Sequence, residues 1–126
     1  MLRCVLTALA AATVAVPAAA QLARQFPANA LRGSFQVVQP PDVQLNGKPA
    51  RLAPGARIRG ANGMLQMSGA MVGHKLLVHY TIDDSGNLHD VWVLTPAEAA
   101  RKPWPTTPAE AQHWSFDWGA QHWTKP

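Results

Sequence analysis

The sequence predicts a mainly β domain, a small antiparallel β-barrel followed by short C-terminal helical turns. Apolar and polar residues alternate in short runs between Ser34 and Leu94, and glycine, proline or asparagine turns separate these runs at close spacing. No stretch between the runs is long enough for the helix that joins parallel strands, so antiparallel connections are expected. A fragment of a β-sandwich is the alternative architecture.

The first part of the chain is predicted to be an export signal that does not belong to this domain. Arg3 supplies a positive charge, residues 5–16 are apolar apart from two threonines, and Ala18-Ala19-Ala20 end the stretch with small side chains. This is the pattern of a secretory signal peptide that is cleaved after Ala20. The apolar stretch is shorter than a membrane span and ends at Pro17, so no span is expected after cleavage.

Cleavage would place the protein in the periplasm and leave about 106 of its 126 residues, enough for one domain with a modest core. It would also remove Cys4, the only cysteine, and with it disulfide, thiolate-metal and cysteine-nucleophile chemistry. Without Arg3 the net charge falls from +4 to about +3. Such a charge favours encounters with acidic surfaces, but by itself it is too small and too scattered to predict binding.

Turn signals divide the rest of the chain. Pro40-Pro41 ends the first strand because proline cannot donate to a ladder, and Asn46-Gly47 is a strong hairpin turn. Residues 53–56 predict a further turn, and the glycines at 69 and 73 suit a bend at a barrel corner.

The predicted parts are a signal peptide at 1–20, a connecting segment at 21–33, a β-barrel domain at 34–95, and short helices with a Trp-rich tail packing on the barrel at 96–126.

The clearest strand pair is a hairpin around residues 84–87. In its first strand Val78 and Tyr80 share the apolar face, while His79 and Thr81 lie on the opposite face. Together with the shorter strands before it, this hairpin predicts a barrel of the OB-like kind, closed by about five or six short strands.

Beyond the barrel the pattern changes to short helices. Thr95 and Glu98 form a capping box with Pro96 at the first helical position, which predicts a helix from Pro96 to about Arg101. The same signature recurs at residues 107–110, and the prolines between the two exclude one continuous helix. The remaining tail shows no clear strand period.

The sequence contains none of the motifs that usually mark catalysis. It has no GxSxG, no HExxH, no phosphate-binding glycine loop and no CxxC pair. A non-enzymatic protein is therefore predicted, and a small hydrolase is an alternative without a supporting motif. A nucleic-acid partner is not expected, because the aromatic residues are not interleaved with a basic run and export removes the usual partners.

A methionine–histidine cluster is the first candidate site. Met64, Met67, Met71 and His74 supply thioether and imidazole donors, which suit Cu(I) and need no thiol. Met64 and Met67 would point to opposite faces of a regular strand, so a bulge near Gly69 is needed to bring the donors together. The alternative interpretation is that these methionines fill gaps in the core.

A second candidate surface combines the tail with a basic strand. Trp114, Trp118 and Trp123 suit contact with an envelope protein or polymer, because tryptophan is favoured at interfaces. The alternative is that these indoles lie over the barrel and close its open end. Arg57 and Arg59 share one strand face and could contact a carboxylate or phosphate, or else form a solvated face that discourages edge pairing.

The runs RLAPGARIRGANGML (residues 51–65) and VHYTIDDSGNLHDVWVLTPAE (residues 78–98) resemble a group of small exported proteins of Gram-negative bacteria. The resemblance covers about residues 31–99. Its motifs are turn and strand signatures, so it implies an exported β domain and brings no catalytic residue to this chain.

A more distant similarity is to periplasmic copper chaperones with an OB-type barrel, which use Met, His and a nearby Trp. Met64, Met67, His74 and Trp92 supply these residue types here, without a matching spacing. The sequence therefore predicts a non-enzymatic periplasmic binding or accessory protein that needs no cofactor. The alternative is a Cu(I)-binding protein built on the Met/His cluster.

Overall fold

The computed structural model describes residues 24–126, so the predicted signal peptide lies outside the described residues. The strands are β1 (Leu31–Gln39), β2 (Asp42–Leu45), β3 (Lys48–Arg59), β4 (Leu65–Gln66), β5 (Lys75–Ile82), β6 (Leu88–Val93), β7 (Ser115–Asp117) and β8 (His122–Thr124). The helices are a 3-10 helix (Ser68–Met71), α1 (Pro96–Ala99) and α2 (Pro108–His113). No helix in this part of the chain has the length and apolar character that crossing a membrane requires.

Five strands close into a barrel in the order β1-β2-β3-β6-β5, and β5 returns to pair with β1. The predicted small β-barrel is thus confirmed. One pairing departs from the antiparallel expectation, since β3 and β6 run parallel. The other four pairings of the ring are antiparallel, so β1, β3 and β6 all run in one direction. Because the ring has five strands, β3 and β6 meet as parallel neighbours. The short strand β4 is attached to β3 outside the ring.

The turn predicted at residues 53–56 is wrong, because β3 continues through it. Gly55 adopts a φ of +78° there, and the pairing with β6 shifts register between Leu52 and Arg57. A left-handed residue inside a strand produces a bulge, which bends the chain without ending the strand. The Pro-Gly pair therefore curves one long strand where two short ones were expected.

The barrel also begins earlier than predicted, at Leu31 instead of Ser34. Gly33, the last residue of the predicted connecting segment, pairs with Val78 inside β1. A Cβ atom at Gly33 would meet the side chains of Asn46 and Tyr80 at 3.0 Å. The glycine thus permits close packing in this strand.

The predicted hairpin and caps are confirmed. The Asp83 side chain accepts hydrogen bonds from the backbone N–H groups of Ser85 and Asn87 in the β5–β6 loop. The Thr95 and Glu98 side chains form the complete capping box of α1, which ends two residues earlier than expected. The tail contains a small hairpin of β7 and β8 that the sequence pattern does not indicate.

The described residues form two apolar clusters. One fills the barrel interior and includes Phe35, Val37 and Val78, all fully buried. The other lies outside the barrel, where the tail packs on the outer face of its wall around Phe26 and Trp104. The tail thus packs on the barrel wall as a second core.

Candidate functional site

The segment between β3 and β5, residues 60–74, crosses one end of the barrel and is called here the mouth loop. It contains β4 and the 3-10 helix and lies beside a cleft of about 260 Å³. The cleft is lined by Gly60, Gln66, Ala70, Met71, His74, Leu76 and Val93. These residues bear no carboxylate and no lysine or arginine, so the cleft is mainly apolar, with His74 and Gln66 as its polar side chains.

The structure divides the predicted Met/His cluster. Met71 and His74 both line the cleft, and the backbone N–H of His74 donates to the Met71 carbonyl at 3.2 Å. Met71 is buried in the barrel core, whereas His74 is exposed. Met64 and Met67 are 65% and 80% exposed and are not among the lining residues. The gap-filling role therefore holds for Met71 and not for the other two.

The exposed part of the mouth loop has a defined backbone. The Gly60 N–H donates to the Met64 carbonyl at 2.8 Å, and the Met64 N–H donates to the Asn62 side chain at 3.0 Å. β4 pairs with β3 through Leu65 and Gln66, and no strand among residues 24–126 pairs with its other edge. These bonds hold Met64 and Leu65 outward instead of letting them fold back onto the barrel.

Arg57 and Arg59 lie on the outer wall of β3, on either side of the core residue Ile58. Arg59 already has partners within the protein, because its guanidinium lies 3.3 Å from the Asp90 carboxylate and 5.8 Å from the centre of the Trp92 ring. Arg57 is exposed. Of the two predicted anion-contacting residues, Arg57 is therefore the more available.

The three tail tryptophans have different environments. Trp123 is fully buried and stacks on Phe116 with 4.6 Å between ring centres. Trp114 is half-buried and packs edge-on against Trp123 at 6.5 Å. Trp118 is 51% exposed. Trp114 and Trp123 thus contribute to the second apolar cluster, and Trp118 alone presents a large free surface.

Beneath this tail lies a buried polar pair that the sequence analysis missed. The Arg32 guanidinium lies 3.1 and 3.2 Å from Nε2 of His79, and the ring of Trp104 stacks on the imidazole at 4.1 Å. Arg32 also donates to the backbone carbonyls of Glu98, Ala99 and Arg101. The face of β5 that carries His79 was expected to lie opposite the core. The tail nevertheless covers His79, and Thr81 on this face is also buried, while Leu77 stays 42% exposed.

The imidazole of His79 is neutral in this environment. Burial lowers its pKa to about 2, and the positive charge of Arg32 acts in the same direction. Since Nε2 accepts from Arg32, the ring proton is on Nδ1, which has no hydrogen-bond partner among the described residues. His79 therefore accepts hydrogen bonds and does not carry charge.

A second arginine joins the tail to the mouth of the barrel. Arg24 donates to the Glu98 carboxylate at 2.9 Å, and it also donates to the carbonyls of Gly60 and Val93. Burial by itself would raise the pKa of Glu98, but hydrogen bonds from Arg24 and Thr95 outweigh it and hold the pKa below its ordinary value. The capping box marked Glu98 in the sequence, but nothing there indicated that Arg24 would reach it.

Within residues 24–126, no three His, Cys, Asp or Glu side chains are grouped as metal ligands. Comparison with known proteins gave no match, whether against protein-family models, curated proteins or solved structures. The site must therefore be interpreted from its own residues.

Proposed function

We propose that the protein is a non-enzymatic binding or accessory protein of the periplasm and that its mouth loop is the surface that contacts the partner. The observation that carries this proposal is the exposure of Met64, Leu65 and Met67, at 65%, 68% and 80%, on a backbone held by hydrogen bonds.

The exposed apolar side chains of the mouth loop lie close together in the chain, unlike apolar residues scattered singly over a protein surface. The described chain exposes eight large apolar side chains, and four of them, including Val72, lie in the mouth loop. Single exposed apolar residues are normal, whereas contiguous groups mark interaction sites. Methionine suits such a surface because its unbranched side chain adapts to the shape of a partner.

The tail has a smaller part in this function. Trp114 and Trp123 are committed to the second apolar cluster, so Trp118 is the tail residue with a face free for contact. We therefore place the main contact at the mouth loop and treat Trp118 as a separate, secondary surface.

Methionine oxidation tests the proposal directly. Dilute hydrogen peroxide should oxidise Met64 and Met67 in the purified processed chain, while the buried Met71 reacts slowly and serves as an internal control. In a whole-envelope extract containing membranes and proteins, oxidation of Met64 and Met67 should slow in proportion to the fraction bound. Unchanged rates at both positions would overturn the proposal.

A Cu(I)-binding function is the second candidate, and the shared cleft position of Met71 and His74 favours it. Thioether and imidazole are ligands of the kind that Cu(I) prefers. A titration with Cu(I) in the presence of a competing chelator should compare the wild type with Met64→Leu/Met67→Leu/Met71→Leu and with His74→Asn. Tighter binding by the wild type than by both variants supports a copper site, and equal binding excludes it.

A further inference from the structure

Charge is distributed very unevenly along this chain. No aspartate or glutamate lies between Asp42 and Asp83, a segment that includes β3, β4, the 3-10 helix and the whole of β5. The same segment contains the five cations Lys48, Arg51, Arg57, Arg59 and Lys75. The mouth loop therefore belongs to a stretch of chain whose own charges are all positive, although Asp42 and Asp90 on the neighbouring strands β2 and β6 pair with Arg51 and Arg59.

Along the chain, the cations nearest the mouth loop lie at its two ends. The loop has no Lys, Arg, Asp or Glu side chain; it ends at His74, and the exposed Lys75 follows it. At its other end, Arg59 pairs directly with Leu65 in the β3–β4 register. An uncharged apolar tip is thus bordered by cations on both sides.

From this arrangement we infer that the partner of the mouth loop is an anionic lipid membrane surface. Met64, Leu65 and Met67 enter the boundary between headgroups and acyl chains, while Lys75 and Arg57 contact the phosphate groups. Apolar side chains inserted beside basic ones are the combination that binds peripheral proteins to anionic membranes. This inference rests on the proposed function, since it names the partner of the same surface.

The available cations determine how strong this attachment is. Arg59 is partly neutralised by Asp90 at 3.3 Å, so Arg57 and Lys75, for which no ion pair is found in the described part of the chain, supply most of the attraction. Three inserted side chains and two free cations produce reversible, salt-sensitive binding, because stable anchoring needs more apolar surface.

The alternative occupant, an extended peptide added to the free edge of β4, has less support. Strand addition depends on main-chain hydrogen bonds along an exposed edge. β4 has only 2 residues, Leu65 and Gln66, so it can offer few of these bonds. A lipid surface needs no such ladder, and it uses the side chains that this loop exposes.

Vesicle co-sedimentation of the processed chain, residues 21–126, tests the inference. Binding should be measured with phosphatidylglycerol–phosphatidylethanolamine vesicles and with neutral phosphatidylcholine vesicles, at low and high salt. The apolar variant is Met64→Ser/Leu65→Ser/Met67→Ser, and its matched control is Val38→Ser/Ile82→Ser, which alters exposed apolar residues elsewhere on the barrel. The charge variant is Lys75→Gln, and its control is Lys48→Gln. Circular dichroism checks that every variant is folded.

The wild type should bind anionic vesicles more tightly than neutral ones, and salt should weaken this binding. The apolar variant should lose about tenfold or more in affinity, and Lys75→Gln about fivefold, while both controls bind as the wild type does. Absence of vesicle binding, or equal loss in the controls, overturns the membrane inference. If the envelope extract still protects Met64 and Met67 in that case, the proposed function stands and the partner is a protein.

Discussion

Arg32 and His79 face each other across the β1–β5 ladder, and both are buried although they lie on the outer wall of the barrel. The exposed fractions are 8% for Arg32 and 0% for His79. The tail covers them, with Trp104 stacked on the imidazole. The tail thus forms a second layer over the charged guanidinium of Arg32 and the neutral imidazole of His79.

This relationship predicts a pH dependence of stability. The pKa of His79 is about 2 in the folded protein and about 6.5 when the chain is unfolded, so only the unfolded chain gains a proton between these values. Stability therefore falls as the pH drops below about 6.5, by about 1.4 kcal/mol per pH unit for this group. From pH 7.5 to pH 5.0 the contribution of His79 should decrease by about 2 kcal/mol.

Urea unfolding of the wild type and of His79→Gln at these two pH values measures the effect. Glutamine keeps an acceptor for Arg32 but does not titrate, so the variant should show a smaller fall, by about 2 kcal/mol. Equal falls in the two proteins would contradict the prediction. Independently, the NMR signals of the His79 ring should not titrate between pH 7.5 and pH 4.

Two tryptophan substitutions test the role of the tail. Trp104→Ala removes a ring that is 5% exposed, stacks on His79 and donates from Nε1 to the Ala30 carbonyl at 2.9 Å. The cost in unfolding free energy should be about 3–5 kcal/mol, and the pKa of His79 should rise toward its ordinary value. Trp118→Ala is the matched control, with an expected cost below about 1 kcal/mol. Comparable losses in the two variants would show that the tail is not a second core.

The barrel was predictable because its signals are local. The alternation around Val78, the Asn46-Gly47 turn and the capping box of Thr95 and Glu98 each act within a few residues. The contact between His79 and Trp104 in the second core was not predictable, since the two residues meet only through tertiary packing. The sequence pattern placed His79 opposite the core correctly, but a period of two cannot tell whether another segment will cover that face.

The candidate site was predicted in part, for a similar reason. Spacing alone grouped Met64 with Met71, yet one is exposed and the other fills the core. The mouth loop carries a two-residue strand and a 3-10 helix, both too short to produce a periodic signal. The absence of acidic residues between Asp42 and Asp83 is visible in the sequence. It bears on function only because the exposed mouth loop lies in that segment.

The Arg24–Glu98 pair should be strongly coupled. The Glu98 side chain is 6% exposed, so Arg24→Met leaves its carboxylate buried without its cation and should cost about 3 kcal/mol. The double variant Arg24→Met/Glu98→Gln should recover part of this loss, because the neutral amide needs no counter-charge. A double-mutant cycle by urea unfolding measures the coupling, expected at about 1–3 kcal/mol. Additive single effects would show that the pair does not stabilise the contact between the tail and the barrel mouth.

The bulge in β3 should make Gly55 more sensitive to substitution than Gly69, which lies in the 3-10 helix and has equally open space around it. A Cβ atom at Gly55 or at Gly69 would find no heavy atom within 4 Å, so neither alanine substitution creates a clash. Gly55 has a φ of +78°, whereas Gly69 is not in the left-handed region. Gly55→Ala should therefore cost about 1–2 kcal/mol.

Gly69→Ala should be neutral or stabilising by up to about 1 kcal/mol, since it restricts the unfolded chain without straining the folded one. Gly55→Asn should fall between the two, because asparagine tolerates the left-handed region better than alanine does. Urea unfolding of the three variants gives the order. If Gly55→Ala were as stable as Gly69→Ala, residues 53–56 could relax out of the bulge, and β3 would not need its bend to close the barrel against β6.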